Sequence, residues 1–170
     1  MYQVGDYIVF GSKGICRVGS VGTLDMAGIS KNKIYYTLYP YFKKGGKVYT
    51  PVDNDKVIMR PVITKEEALA LIDDIKNIDS LWGADEKRRE FEYKEALKKC
   101  DCRELARIIK TIYLRKQSRL MDGKKLTSVD TKYFQLAEDN FYAELAVSLN
   151  MEVEAVKEFV ISRVENLDTE

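Results

Sequence analysis

Arg60-Pro61-Val62-Ile63-Thr64-Lys65-Glu66-Glu67 is the stretch at which this chain changes its period. N-terminal to it, apolar residues alternate in twos between glycine-rich turns, the pattern of half-buried strands. C-terminal to it they recur every three or four residues, the pattern of amphipathic helices. Thr64 and Glu67 stand three apart, so a hydroxyl and a carboxylate can satisfy the first free amides of a helix reciprocally, a capping box. Eight of the ten glycines and all three prolines precede residue 62, which confines most of the turn chemistry to the first third. The chain therefore reads as α+β in two domains, residues 1–62 and 63–170.

In the first domain, residues 6–10 are a short apolar run. Gly11-Ser12-Lys13-Gly14 turns the chain into residues 15–21, where Gly19 and Gly22 permit sharp bends. Residues 33–42 alternate, with Ile34, Tyr36 and Leu38 on one face and Tyr35, Thr37, Tyr39 and Tyr41 on the other. Lys43-Lys44-Gly45-Gly46 reads as a hairpin loop returning through residues 47–52, and residues 57–62 add a fifth strand. Short strands at this spacing suggest a small Tudor/SH3-like β-barrel. The second domain reads as an all-α helical bundle, with helices over 64–76, 85–99 and 102–120, a fourth opened by Thr127-Ser128-Val129-Asp130, and a last over 152–167. Its expected core comes from Leu105, Ile108, Ile109 and Ile112, then Phe134, Ala137, Phe141 and Leu145, then Val153, Val156, Val160, Val164 and Leu167.

The formal net charge is only +1, which argues against a generic nucleic-acid coat. The sum hides a segregation: residues 87–125 hold 14 Lys/Arg against 6 Asp/Glu, and residues 126–170 hold 3 against 10. A basic stretch followed by an acidic end is the result. No run approaches the roughly 20 apolar residues of a membrane span, and the opening residues lack the basic and apolar regions of a signal peptide. Cys16, Cys100 and Cys102 form no disulfide framework. A cytoplasmic protein is expected, with no membrane contact.

Histidine is absent, removing the commonest general base and metal ligand. Cys100-Asp101-Cys102 has no matching second ligand pair, which argues against zinc. Gly11-Ser12-Lys13-Gly14 lacks the spacing and the strand-to-helix context of a phosphate loop. Asp73-Asp74 reads as solvated helix surface. No enzyme, no metal and no cofactor is expected.

The lone tryptophan, Trp82, falls between the two periodic regions, just before Lys87-Arg88-Arg89. A large flat ring beside a cationic helix start suits contact with nucleic-acid bases and phosphates. Two other readings stand beside it. The ring can plug the seam between modules, and the three cations can form a solvated face paired with Glu90, Glu92 and Glu95.

The ordered set of motifs resembles the CarD/CdnL-type bacterial transcription regulators. Tyr2-Gln3-Val4-Gly5-Asp6 through Gly14 is similar to the opening of that family. Val48-Tyr49-Thr50-Pro51-Val52-Asp53-Asn54 with Arg60-Pro61-Val62 is similar to its next segment. Trp82, Arg88-Arg89, Leu97, Cys100-Asp101, Glu104 to Ile109, Leu126 to Lys132 and Glu144-Leu145-Ala146 continue the likeness. The resemblance implies a Tudor-like module that binds the lobe of the RNA polymerase β subunit. It also implies a helical module that contacts promoter DNA at the upstream edge of the bubble. Trp82 would then wedge into the minor groove and hold the open complex, independently of sequence, with Lys87, Arg88, Arg89 and Lys132 on phosphates. Lys47, Val48, Tyr49, Thr50 and Pro51 would form the edge strand that polymerase extends.

The chain departs from the family at two places. Tyr49 stands where some members carry arginine, and Gly83-Ala84-Asp85-Glu86 separates Trp82 from the cations. Two alternatives are a polymerase-binding adaptor without a DNA role, and a peptide-binding module with a groove of Tyr35, Tyr36, Tyr39 and Tyr41. Oligomeric state is not encoded in any pattern here.

Overall fold

A computed structural model describes residues 1–42, 45–81 and 86–168, in two units, Met1–Val62 and Ile63–Glu170. The first unit is built from β1 (Tyr7–Phe10), β2 (Ile15–Gly22), β3 (Tyr35–Pro40), β4 (Val48–Pro51) and β5 (Met59–Pro61). All neighbours pair antiparallel, in the order β4-β3-β2-β1-β5. The α+β class holds. The ladder does not close into a barrel, because β4 and β5 end the order and do not pair with each other among the described residues.

Alternation sets the core of the sheet. Ile8, Phe10, Cys16, Val18, Tyr36 and Leu38 are buried together, with Val48, Val52 and Met59 packed against them. Burial pushes the Cys16 thiol up to about 11, against a small opposing pull from Lys13, so it is inert at neutral pH. Tyr36 does double duty, its hydroxyl accepting the Tyr2 amide at 3.0 Å. Ile34, expected on the buried face, is 43% exposed because β3 begins one residue later.

Gly11-Ser12-Lys13 forms a tight 3-10 turn between β1 and β2. Gly11 sits at φ +46 with a Val57 methyl where a Cβ would go, so two constraints favour glycine there. At Gly19 the β2–β3 register shifts by one residue, a bulge that bends the strand. A Cβ there would lie 2.0 Å from the Tyr39 ring. Tyr39 thus covers the backbone at a position that carries no side chain, and the Arg17 guanidinium and Lys47 ammonium lie 5.6 and 6.0 Å from its centroid.

The second unit holds α1 (Lys65–Asp73), α2 (Glu86–Lys98), α3 (Cys102–Met121), α4 (Ser128–Leu149) and α5 (Val153–Asp168). The Thr64–Glu67 capping box is present in both directions. Helix α1 stops at Asp73 rather than running to residue 76; Ile75–Asn77 is a separate 3-10 turn. Ala137, Phe141 and Leu145 of α4 are buried with Ile108 and Ile112 of α3 and Val156 and Val160 of α5. Phe134, Ile109, Val153 and Val164 sit at the margin of that core, half-buried. Ile63 is clamped on both sides by α4: its amide donates to the buried Glu144 carboxylate at 3.1 Å, and its carbonyl lies 2.8 Å from the Ser148 hydroxyl. No helix among the described residues is long and apolar enough to cross a membrane.

Replacing Gly19 with Ala should displace the Tyr39 ring and destabilise the sheet by roughly 1–3 kcal/mol, the usual cost of overpacking. In a Tyr39→Ala background the cost should largely vanish. Hydrogen exchange of the β2 and β3 amides in the full chain reads both. Equal penalties in the two backgrounds would show that the ring is not the constraint.

Candidate functional site

Two surfaces carry the residues singled out by sequence. The first is the outer edge of β4. Its register pairs Leu38 with Val48, Tyr36 with Thr50 and Tyr35 with Pro51, and the Val52 amide bonds the Ile34 carbonyl at 3.0 Å. Hydrogen-bonding direction alternates along an antiparallel strand. Val48, Thr50 and Val52 therefore direct their backbone groups at β3, while Tyr49 and Pro51 direct theirs off the sheet. Val48 and Thr50 also turn their side chains inward, half-buried and buried. Tyr49 and Lys47 are exposed. Pro51 has no amide to offer, so the outward groups are the Tyr49 amide and the carbonyls of Tyr49 and Pro51, a short template for another strand. The four tyrosines do not share a groove, because Tyr36 packs in the core while Tyr35 and Tyr39 lie on the opposite face.

The second surface is where α2 meets the first turn of α4. Helix α2 has few apolar anchors: Tyr93 and Ala96 are buried, Leu97 is half-buried and Phe91 is exposed. Its place is set by polar chemistry. Tyr93, with no exposure, donates its hydroxyl to Asp130 Oδ1 at 2.9 Å, and Arg115 of α3 donates from Nε to Oδ2 at 2.6 Å. Asp130 is itself fully buried. Burial pushes its carboxyl up, but hydrogen bonds from Arg115, Tyr93 and Thr127 together outweigh that and hold it below the usual carboxylate range. The same pairing raises the Tyr93 hydroxyl, burial first and the Asp130 bond second. Tyr93 and Tyr133 stack with centroids 5.4 Å apart, and the Tyr133 hydroxyl donates to Glu90 at 3.2 Å.

Of the expected nucleic-acid contacts, Lys87 and Arg88 are exposed on α2, with Arg88 3.9 Å from Glu92. Arg89 lies close enough to Tyr93 to favour its ionised form. Lys132 is exposed on α4, its Nζ 5.4 Å from the Tyr133 centroid. Lys132 thus lies beside one ring of the Tyr93–Tyr133 pair, and the Arg89 charge is felt at the hydroxyl of the other. Trp82 lies outside the described residues, as do Lys43 and Lys44 of the hairpin loop. Leu81, just before it, donates its amide to Thr111 Oγ1 of α3 at 2.8 Å. Arg115 and Asp130 were not legible as site residues. Asp130 reads as an ordinary acid in a helix first turn, and only the approach of α2 and α3 reveals that it is buried.

The acids expected on open surface are engaged. Asp73 takes a two-pronged bond from Arg163 of α5 at 2.5 and 2.9 Å, and Asp74 pairs with Arg103 of α3. An open cleft of about 550 Å³ beside them is lined by Ile63, Leu71, Asp73, Asp74, Cys102 and Arg103. Cys100-Asp101-Cys102 is a turn and a cap: Cys100 adopts φ +51, Asp101 accepts the Arg103 amide at 2.8 Å, and Cys102 is buried. Among the described residues no cluster of three or more acids and thiols could hold a metal ion.

Residues 2–63 match the family model described as the CarD-like/TRCF RID domain. The resemblance read from the opening motifs is borne out over that stretch: the N-terminal unit is an RNA polymerase-interacting domain of the CarD/TRCF type. No curated protein matches the chain.

Asp130 should leave a signature in acid. A carboxyl whose pKa is depressed on folding contributes stability that is present above its unfolded value, about 3.9, and is lost as pH falls through the folded one. Urea midpoints of the wild type should therefore drop more steeply between about pH 5 and pH 2 than those of Asp130→Asn. Asp130→Ala, which strands Arg115 and Tyr93, should cost roughly 3 kcal/mol at neutral pH. Parallel acid profiles for wild type and Asp130→Asn would remove the carboxylate from this role.

Proposed function

We propose that this protein is a non-enzymatic bacterial transcription regulator, cytoplasmic and brought to the nucleoid by RNA polymerase. Its N-terminal unit docks on the β-subunit lobe through β4, and its helical unit contacts promoter DNA beside the upstream edge of the open bubble. The observation that carries the reading is that β4 ends the sheet of a polymerase-interacting domain with the Tyr49 backbone directed outward. Sheet extension draws its affinity from the main chain, so tyrosine at position 49 in place of arginine is compatible with it.

The DNA part rests on Lys132 beside the Tyr93–Tyr133 pair, with Arg89 acting electrostatically on Tyr93 and exposed Lys87 and Arg88 on the same helix. Phosphate contacts position a protein without reading sequence. Trp82, four residues before α2 is first described, would supply the apolar wedge. Wedging costs a few kcal/mol of stacking on a closed duplex and far less where strands have already parted. That difference shifts the closed–open equilibrium, whereas equal affinity for both states would shift nothing.

A second reading, a polymerase-binding adaptor without DNA contact, draws on Glu90 and Glu92 beside the same cations.

Two measurements test the proposal. Tyr49→Pro removes the outward amide but leaves the Val48 and Thr50 pairs with β3; it should weaken binding of the cognate polymerase at least tenfold, while Tyr49→Ala changes it little. Equal loss in both would move the contact to the tyrosine ring, and no loss in either would take β4 out of the interface. The lifetime of the promoter open complex should lengthen with wild-type protein and return to baseline with Trp82→Ala that still binds polymerase. If both proteins lengthen it equally, Trp82 is scaffold; if neither does, the adaptor reading prevails.

A further inference from the structure

The backbone on the N-terminal side of Trp82 is laced to α3. Arg107, Lys110 and Thr111 fall at positions i, i+3 and i+4, one face of the helix. All three side chains bond the backbone of residues 75–81. The Lys110 ammonium reaches the carbonyls of Ile75, Lys76 and Ile78 at 3.1, 2.7 and 2.8 Å, three donors for three acceptors. Arg107 Nε donates to the Asp79 carbonyl at 2.9 Å. The Thr111 hydroxyl donates to the Arg107 carbonyl at 2.7 Å, which leaves its lone pair to accept the Leu81 amide at 2.8 Å. Side-chain bonds to four backbone carbonyls within five residues are unusual, because most backbone groups pair with other backbone or with water.

Packing alone does not require this arrangement. Ile78 is buried and Leu81 half-buried against the core, which would hold the segment's apolar side. The polar bonds add direction, since each fixes a peptide plane rather than a side chain. Lys110 closes the end of the 3-10 turn, where carbonyls point outward and a cation is favoured. Thr111 fixes the last described peptide before residue 82.

We infer that Arg107, Lys110 and Thr111 are positioning residues that pin the chain at Leu81 and so set the point from which Trp82 departs. The inference rests on the promoter-contact reading for its consequence but not for its geometry. A chain fixed on the N-terminal side of a wedge lowers the ordering cost of binding, which would otherwise subtract from the difference between open and closed states.

The lone tryptophan makes the test direct. Thr111→Val deletes the hydroxyl and keeps the shape, Thr111→Ser restores the hydroxyl, and Lys110→Met removes the charge along a similar stem. Fluorescence anisotropy decay and acrylamide quenching of Trp82 are read in the full-length variants, with polymerase binding and thermal unfolding as controls. Thr111→Val and Lys110→Met should lower the residual anisotropy and raise quenching, Thr111→Ser should match wild type, and open-complex lifetime should fall roughly two- to tenfold, the scale of one net hydrogen bond. An unchanged Trp82 signal in Thr111→Val, which conserves the packing and so keeps the test valid if Lys110→Met unfolds, overturns the inference. A changed signal together with no effect of Trp82→Ala on lifetime would leave the lacing standing and sink the promoter reading instead.

Discussion

A carboxylate withdrawn from water must be met by cations and hydrogen-bond donors, or it will not stay ionised. Asp130 meets that demand with Tyr93 from α2, Arg115 from α3 and Thr127 at its own helix start. The consequence reaches beyond one residue. Helix α2 has only Tyr93 and Ala96 fully buried, too little apolar area to fix its pitch by packing. A directional bond to a buried charge fixes what packing leaves loose. Every cation on the first turns of α2 inherits its place from that bond.

The flanking segment solves the same problem by other means. Residues 75–81 form no strand and almost no helix, so their carbonyls need partners that regular structure does not provide. Lys110, Arg107 and Thr111 supply them from one helix face. Lys110 and Arg107 are thereby consumed internally and are not free for phosphate contact. The excess of Lys/Arg over residues 87–125 thus overstates the charge available to a partner. Part of that excess holds the fold, and the cations nominated for phosphate, Lys87, Arg88, Arg89 and Lys132, are a smaller set with acids beside them.

Much of the architecture was legible because it is encoded locally. The Thr64–Glu67 box, the spans of the strands and the bend at Gly19 all rest on residues within a few positions of each other. What escaped is tertiary. Helix α1 was expected to reach residue 76; it stops because Asp74 is drawn to Arg103 and Asn77, and because the next carbonyls go to Lys110, 32 to 35 residues away. Asp73 is exposed as expected, but its pairing escaped because nothing near it in sequence announces Arg163, 90 positions on. The failure to close the barrel is of the same kind, since strand count and turn spacing are shared by an open sheet and a closed one. At the site, Lys132 and Arg89 could be nominated one at a time. That α2 is tied to the start of α4 through Tyr93, Tyr133 and Asp130 could not.

The near-neutral charge of the whole chain follows from the proposed division of labour. A protein that must find DNA unaided needs many phosphate contacts, and its affinity then falls steeply with salt. A protein already bound to polymerase meets promoter DNA as an intramolecular partner, at an effective concentration that covalent connection and docking raise by orders of magnitude. Few cations then suffice, and keeping them few has its own advantage. Weak intrinsic affinity leaves free protein off bulk DNA, so occupancy tracks polymerase rather than the genome. It also leaves the discrimination between closed and open duplex to the apolar contact, which senses stacking, rather than to phosphates, which both states present alike.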